Sequence, residues 1–364
     1  MVLLTTKIKL LPNMEQFKQL EDTMNSFNRA CNRISKISFE NKTYSKIKIQ
    51  KICYYDVREE FKLPAQLVIR AIAKVAETYK INKKTFHEFR LDGAVIYDER
   101  ILSFKGIECA SISTMYGRIN IPMQISSYHK GILEGKRIRG QADLILVDGT
   151  FYLLLVVEFP NDAPIKTEDV IGLDLGIVNI ATDSDGKAFS GAKINNLRKR
   201  YARIRAKLQA KQTKSAKRLL KKRRRKEQRM AKDINHCISK QIVDKAVRHS
   251  SAIALENLNG IAKKKQKSET VIKSQRSKLS KWSFYQLQQF IKYKAEQRGV
   301  TVFFVDPQYT SQTCSCCGYV AKENRKTQAK FECVSCGYVA HADYNASLNI
   351  REKGYCQLAE RRSA

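Results

Sequence analysis

VIGLDLGIVNIATDSDG, residues 170–186, decides how this chain is read. It is an apolar strand carrying one charge, Asp174, followed by a turn signal at Asp185-Gly186 and a second strand. A carboxylate inside an apolar strand is costly unless it is paired or binds a metal. Asp174 is therefore the first candidate functional residue.

Two acids further along the chain share its setting. Glu256 closes the apolar run SAIALE, just before the turn residues Asn257 and Asn259-Gly260. Asp343 lies in HADYNASLNI, at the head of an expected helix. Each has an ordinary alternative: Asp174 as a turn cap, Glu256 as a solvated strand end, Asp343 as a helix N-cap. Together they fit one mechanism. Three carboxylates at one sheet edge can hold two Mg2+ about 4 Å apart, for in-line attack of water on a phosphodiester. Gly176 is expected to keep side-chain bulk off that edge, where a nucleic-acid backbone would approach.

Between the second and third acids lies a metal motif. Cys314-x2-Cys317 and Cys333-x2-Cys336 have the spacing of a four-cysteine zinc ribbon, and Gly318 and Gly337 follow the two pairs. Four thiolates fill a tetrahedral zinc, so one structural Zn2+ is expected. The metal replaces a core that so short a segment cannot build. The other cysteines (Cys31, Cys53, Cys109, Cys237, Cys316, Cys356) are scattered, and the usage as a whole reads as cytosolic.

Composition names the partner. Lys and Arg total 68 against 35 acids, a formal charge of +33. Such an excess repels itself unless a polyanion covers it. From Arg198 to Lys232 the chain is read as a helical stretch whose single acid is Glu227. Without acids at i,i+4 a solvated helix would repel itself, so phosphate is the expected partner. Arg198, Lys199, Arg200, Arg223, Arg224 and Arg225 are the candidate nucleic-acid contacts, and Leu197, Tyr201, Ile204 and Leu208 form a seam toward the protein. A membrane is not expected: FYLLLVVEF (151–159) is too short to span and contains Glu158. No leader is read in VLLTTKIKLLP.

The N-terminal half alternates between two periods. Residues 2–11 read as a strand ending at Pro12. Asn13 and Gln16 then offer a capping pair for a helix with Phe17, Leu20, Met24, Phe27, Cys31 and Ile34 on one face. A second helix is expected from Pro64, with Leu67, Ala71, Val75 and Thr78, down to Phe86. ILSFKGI, RINIPMQI and LILVDGTFYLLLVVEF are strands, with Asp148-Gly149 as a hairpin turn. The expectation is a β-barrel over 1–12 and 92–165, interrupted by a helical insert over 13–91.

GLDLG, LEN, YTSQTCSCCG, CGY and DYNASLNI together resemble the TnpB family, transposon-encoded proteins ancestral to type V CRISPR effector nucleases. KWSFYQLQQFIKYKAEQRG (281–299) extends the resemblance, and LPAQLVIRAIAKV (63–75) carries it more loosely into the N-terminal half. The resemblance implies a mixed α and β, multi-domain protein. A RuvC-type, RNase H-like nuclease domain over 166–308 and 341–364 would carry an inserted zinc ribbon over 309–340. The barrel would be a wedge domain and the insert a recognition domain. A noncoding guide RNA would direct cleavage of double-stranded target DNA beside a short flanking motif. Asp174, Glu256 and Asp343 match the three acidic motifs, Asn345 matches the Asn after the last Asp, and His341 stands near a position where many relatives have Arg. Asp306 has no counterpart and reads as solvated or capping.

No Gly-rich phosphate loop is present, so no nucleotide cofactor is expected. His87, His129, His236 and His249 lack partners at ligand spacing. Two rival readings stand beside the nuclease: a nuclease-silent RNA-guided DNA-binding regulator, and an RNA-independent transposase or resolvase. The expected location is cytoplasmic, associated with the nucleoid.

Overall fold

A computed structural model of the chain describes residues 2–135, 137–176, 178–257, 284–327 and 329–363. The chain divides into two compact units, Met1–Pro160 and Asn161–Ala364. The Asn259-Gly260 turn and residues 281–283 of the quoted KWSF stretch lie outside the described residues.

The first unit strings together β1 (Val2–Leu10), α1 (Met14–Glu40), α2 (Lys46–Phe61), α3 (Ala65–Ile81), β2 (Val95–Asp98), β3 (Leu102–Lys105), β4 (Cys109–Thr114), β5 (Gly117–Gln124), α4 (Ser127–Leu133), β6 (Arg137–Val147) and β7 (Thr150–Phe159). The strands form one antiparallel sheet in the order β2-β6-β7-β1-β5-β4-β3. The sheet curls toward a barrel: the Tyr97 hydroxyl of β2 donates to the Ser113 carbonyl of β4 (3.1 Å), and the Ser113 N–H donates to the Ile101 carbonyl (2.9 Å). Alternation is the cause of its two faces. Ile8 and Leu10 of β1 and Phe151, Leu153, Leu155 and Val157 of β7 all turn into one core. Asp148 and Gly149 both have positive φ, 52° and 72°, which suits the twist of the β6–β7 hairpin.

Both halves of the expected capping box start α1: the Gln16 N–H donates to Asn13 Oδ1 (2.8 Å), and the Asn13 N–H donates to Gln16 Oε1 (3.1 Å). Two expectations need correction. A further helix, α2, lies between the two read from sequence; it buries only Ile49, Cys53 and Val57, too narrow a stripe to stand out. The helix after Pro64 ends at Ile81, not Phe86. Beyond it, residues 87–93 run along α1 and satisfy its polar side chains. Asn32 exchanges two hydrogen bonds with the Phe89 backbone, and Ser35 donates to the His87 carbonyl.

The second unit contains β8 (Asp169–Asp174), β9 (Asn179–Asp183), β10 (Ala188–Ser190), α5 (Ala192–Ala210), α6 (Lys214–Arg248), β11 (Ser251–Glu256), α7 (Phe284–Gln297), β12 (Val302–Val305), β13 (Lys330–Glu332), β14 (Val339–His341) and α8 (Ala342–Ser363). Its main sheet runs β10-β9-β8-β11-β12, with β8, β11 and β12 parallel and β9 and β10 antiparallel. Helices cover both faces. Ile171, Leu173, Ile253 and Leu255 pack with Ile242 of α6 and with Leu287 and Ile291 of α7. Val170, Ala252 and Ala254 pack with Ile350 and Leu358 of α8. A strand buried on both sides has no reason to alternate, so VIGL is apolar throughout.

The basic stretch is two helices rather than one. Gln212 adopts a left-handed φ of 52°, and the Thr213 hydroxyl caps α6 by accepting the Ala216 N–H at 3.2 Å. Glu227, the one acid of the run, ties the two together through an ion pair with Arg205. Among the described residues no helix is long and apolar enough to cross a membrane.

Candidate functional site

β8 and β11 are parallel neighbours with Leu173 opposite Leu255, so the next residues, Asp174 and Glu256, end the two strands side by side. The third acid arrives from elsewhere. Asp343 is the second residue of α8, and Asn179 at the start of β9 donates its amide to Asp343 Oδ2 at 3.0 Å. Burial and the charges of Glu256 and Asp343 push the Asp174 carboxyl up to about 8, against a pull downward from Arg325 and the Leu175 amide. The structure thus gathers the three acids named from sequence into one cluster. Of the three, Asp174 is the acid whose charged form is costliest in this setting.

Helix α8 reaches the sheet because glycine lets it. A Cβ on Gly172 would lie 2.1 Å from the Ser347 carbonyl oxygen, and one on Gly354 would lie 2.7 Å from Ala254 Cβ. Gly176 has a local role beside the one expected of it. A Cβ there would meet the Asn179 carbonyl oxygen at 2.8 Å, so the glycine serves the local β8–β9 connection. It also keeps the space beside Asp343 Oδ2 clear.

Four functional candidates were not singled out from sequence. Asn179 is one. Arg325, between the two cysteine pairs, brings Nη2 to 4.0 Å from Asp343 Oδ1. Thr310 donates its hydroxyl to Glu256 Oε1, and Gln288 of α7 donates to the Glu256 carbonyl at 2.7 Å. Asn179, Gln288 and Thr310 stand inside stretches already quoted; nothing in the sequence around Arg325 points to the carboxylates. His341 sits with Nδ1 4.0 Å from Asp343 Oδ2 and accepts the Asp343 N–H. Asp306 caps a turn by accepting the Gln308 N–H.

The four cysteines form two equivalent knuckles. In each, the glycine N–H returns to the first cysteine's carbonyl: Gly318 to Cys314 at 2.9 Å and Gly337 to Cys333 at 3.0 Å. Both glycines have the left-handed φ the return requires, 77° and 72°. The Sγ atoms of Cys314, Cys317, Cys333 and Cys336 all lie within 4.8 Å of one another. Cys314–Cys336 and Cys317–Cys333 are separated by 3.7 and 3.6 Å. Zinc–thiolate bonds of about 2.3 Å in a tetrahedron require sulfurs roughly 3.8 Å apart. The donor set therefore fits one zinc with no open position. Without a metal the four thiols do not ionise alike: the Cys336 amide pulls the Cys333 thiol down to about 7, whereas burial raises that of Cys314.

The basic candidates differ in access. Lys199, Arg200 and Arg224 are exposed, whereas Arg198, Arg223 and Arg225 are half-buried. Burial lowers the Arg198 pKa, with Glu227 opposing it. The histidines have local partners: His87 packs on Tyr79, His129 caps α4 through Ser126, His236 stacks on Phe290 at 3.9 Å, and His249 caps α6.

Two family models match the chain: OrfB_IS605, a probable transposase, over residues 154–265, and the Cas12f1-like TNB domain over 284–350. A CRISPR-associated endodeoxyribonuclease Cas12f1 of Syntrophomonas palmitatica is 36% identical, over 52% of this chain and 40% of that protein. A putative RNA-guided DNA endonuclease InsQ of Escherichia coli is 30% identical, over 58% of this chain and 56% of the relative. A TnpB-like protein of Methanocaldococcus jannaschii is 27% identical, over 70% of this chain and 93% of the relative. The chain thus spans about half or less of the length of the Cas12f1 and InsQ relatives. In fold it is similar to a solved Cas12f1–sgRNA–target DNA complex, with a TM-score of 0.65 at 16% identity over 92% of this chain and 83% of that one.

Proposed function

We propose that this chain, a relative of the TnpB-like and Cas12f proteins, is the RNA-guided DNA endonuclease of a transposable element. It hydrolyses target DNA beside a short flanking motif, directed by a noncoding guide RNA. The observation that carries the reading is the convergence of Asp174, Glu256 and Asp343 from three separate segments on one sheet edge. The names of the relatives support it: an endodeoxyribonuclease and a putative RNA-guided DNA endonuclease.

The three carboxylates would hold two Mg2+. Bound there, the ions supply an activated water and charge stabilisation for the leaving 3′ oxygen. The chain's own residues do the rest. Asp174 gives up the proton that burial holds on it, so the cation and the proton compete for one carboxylate. Asn179 fixes the Asp343 carboxylate through Oδ2, and Arg325 adds a guanidinium near Oδ1, suited to a phosphate oxygen. The zinc ribbon (309–340) is structural. Residues 1–12 and 92–165 are the wedge, 13–91 the recognition domain, and 166–308 with 341–364 the RuvC-like nuclease. Lys199, Arg200 and Arg224 contact phosphates, with Arg198, Arg223 and Arg225 behind them.

The test is to isolate the full chain with its bound nucleic acid, sequence that nucleic acid, and assay cleavage of matched DNA. Copurified RNA matching the cut site, with cutting by Asp174→Ala reduced by orders of magnitude, supports the reading. Cutting without RNA, or undiminished cutting by the variant, overturns it.

A further inference from the structure

The clearest unassigned relationship at the cluster lies between Glu256 and the segment leading into the zinc knuckle. The Glu256 main chain is already fixed: Gln288 donates to its carbonyl at 2.7 Å, and the Asn257 N–H donates to the Val305 carbonyl at 2.8 Å. Its side chain is not fixed by these bonds. Asp343 repels the carboxylate, as Asp174 does once it is ionised, and a glutamate has enough rotatable bonds to swing away. One contact that opposes that swing is the Thr310 hydroxyl, which donates to Glu256 Oε1 from a residue only 2% exposed. The Pro307 carbonyl lies 3.0 Å from the same hydroxyl, but one proton serves one acceptor, and a carboxylate is the stronger.

The Thr310 segment is itself immobilised by α8. Asn349 of α8 donates to the carbonyls of Thr310 (2.9 Å) and Thr313 (2.7 Å). Asn345 of α8 donates to Thr313 O at 2.8 Å and accepts the Ser315 N–H at 3.0 Å. Cys314, one of the four clustered cysteines, sits between those contacts. The helix that brings in Asp343 therefore also holds the segment that orients Glu256.

We infer that Thr310 is a positioning residue of the carboxylate cluster: held by α8 beside the cysteine knuckle, it keeps Glu256 turned toward Asp174 and Asp343, in the geometry that binds divalent cations. The inference rests on the reading of the three acids as a metal site. Loss of one charge-assisted hydrogen bond predicts divalent binding weaker by roughly tenfold to a hundredfold.

The experiment titrates Mg2+ calorimetrically into the full chain with its copurified nucleic acid, subtracting the same titration of Asp174→Ala to remove ions bound by nucleic acid. Zinc content and melting temperature are measured for every variant. Thr310→Val should keep its zinc yet raise the Mg2+ half-saturation at least about tenfold, and Thr310→Ser should restore most of the affinity. Should the valine variant lose zinc, Thr310→Ala replaces it. Wild-type half-saturation in the variant without the hydroxyl, or a serine variant as weak as it, overturns the inference while leaving the carboxylate reading intact. An Asp174→Ala titration identical to wild type instead overturns that reading, and the inference with it.

Discussion

Gly172 of β8 lies against the backbone of α8 so closely that a Cβ would fall 2.1 Å from the carbonyl oxygen of Ser347 and 2.5 Å from the N of Arg351. Neither neighbour is a flexible side-chain end that can step aside. Gly172→Ala should force α8 outward, destabilising the second unit by ~1–3 kcal/mol. Because α8 carries Asp343, cleavage should fall as well. Thermal melting checks the first effect and a cleavage assay the second.

Asp174 carries a pH dependence as well as a role in cleavage. Its carboxyl lies at about 8 in the folded chain without divalent ions, against 3.8 ordinarily. Between those values the folded state holds a proton that the unfolded state has released. Stability is therefore greatest below pH 4 as far as this group is concerned, and declines as pH rises toward 8. Asp174→Asn should remove that slope from melting curves recorded in Mg2+-free buffer. Mg2+ binding should tighten with pH over the same window. Asp174→Ala should lower the cleavage rate by roughly a thousandfold, since the site supplies several kcal/mol, while nucleic-acid affinity stays near wild type.

The knuckles predict one zinc per chain by elemental analysis. Cys333→Ser should abolish it and unfold the segment 309–340, since zinc-coupled folding is worth on the order of 10 kcal/mol. A wild-type protein free of zinc would overturn the zinc assignment drawn from the 3.6 and 3.7 Å sulfur separations.

Salt dependence separates the exposed arginine from the packed ones. Arg224 is exposed, whereas Arg223 and Arg225 are half-buried and the Arg223 Nε has no hydrogen-bond partner among the described residues. Arg224→Gln should flatten the log–log salt slope of nucleic-acid binding by ~0.7–0.9, the value of one phosphate contact. Adding Arg223→Gln and Arg225→Gln should change the slope by less than two further contacts. The choice of flanking motif should not alter, because backbone contacts carry no base information. An unchanged slope means a solvated helix face.

Features whose cause is local were legible without coordinates. A Cys-x2-Cys-Gly knuckle closes within a few residues, so spacing alone announced the four-thiolate site. Asp174 was conspicuous because a charge inside an apolar strand violates its immediate surroundings. The capping pair at Asn13 and Gln16 and the Asp148-Gly149 turn are likewise short-range hydrogen-bonding and φ preferences. Tertiary structure alone decided the rest. Helix α2 buries one thin stripe whose meaning depends on α1 and α3. The basic run breaks at Gln212 because its two halves fold back and share Glu227. Nothing near Arg325 indicates that it faces Asp343, and nothing near Gly172 indicates that a helix from the far end of the chain will press on it. Periodicity records that a residue is buried, not what buries it. The meeting of Asp174, Glu256 and Asp343 is a contact between distant segments, and packing β8, β11 and α8 together is what makes it.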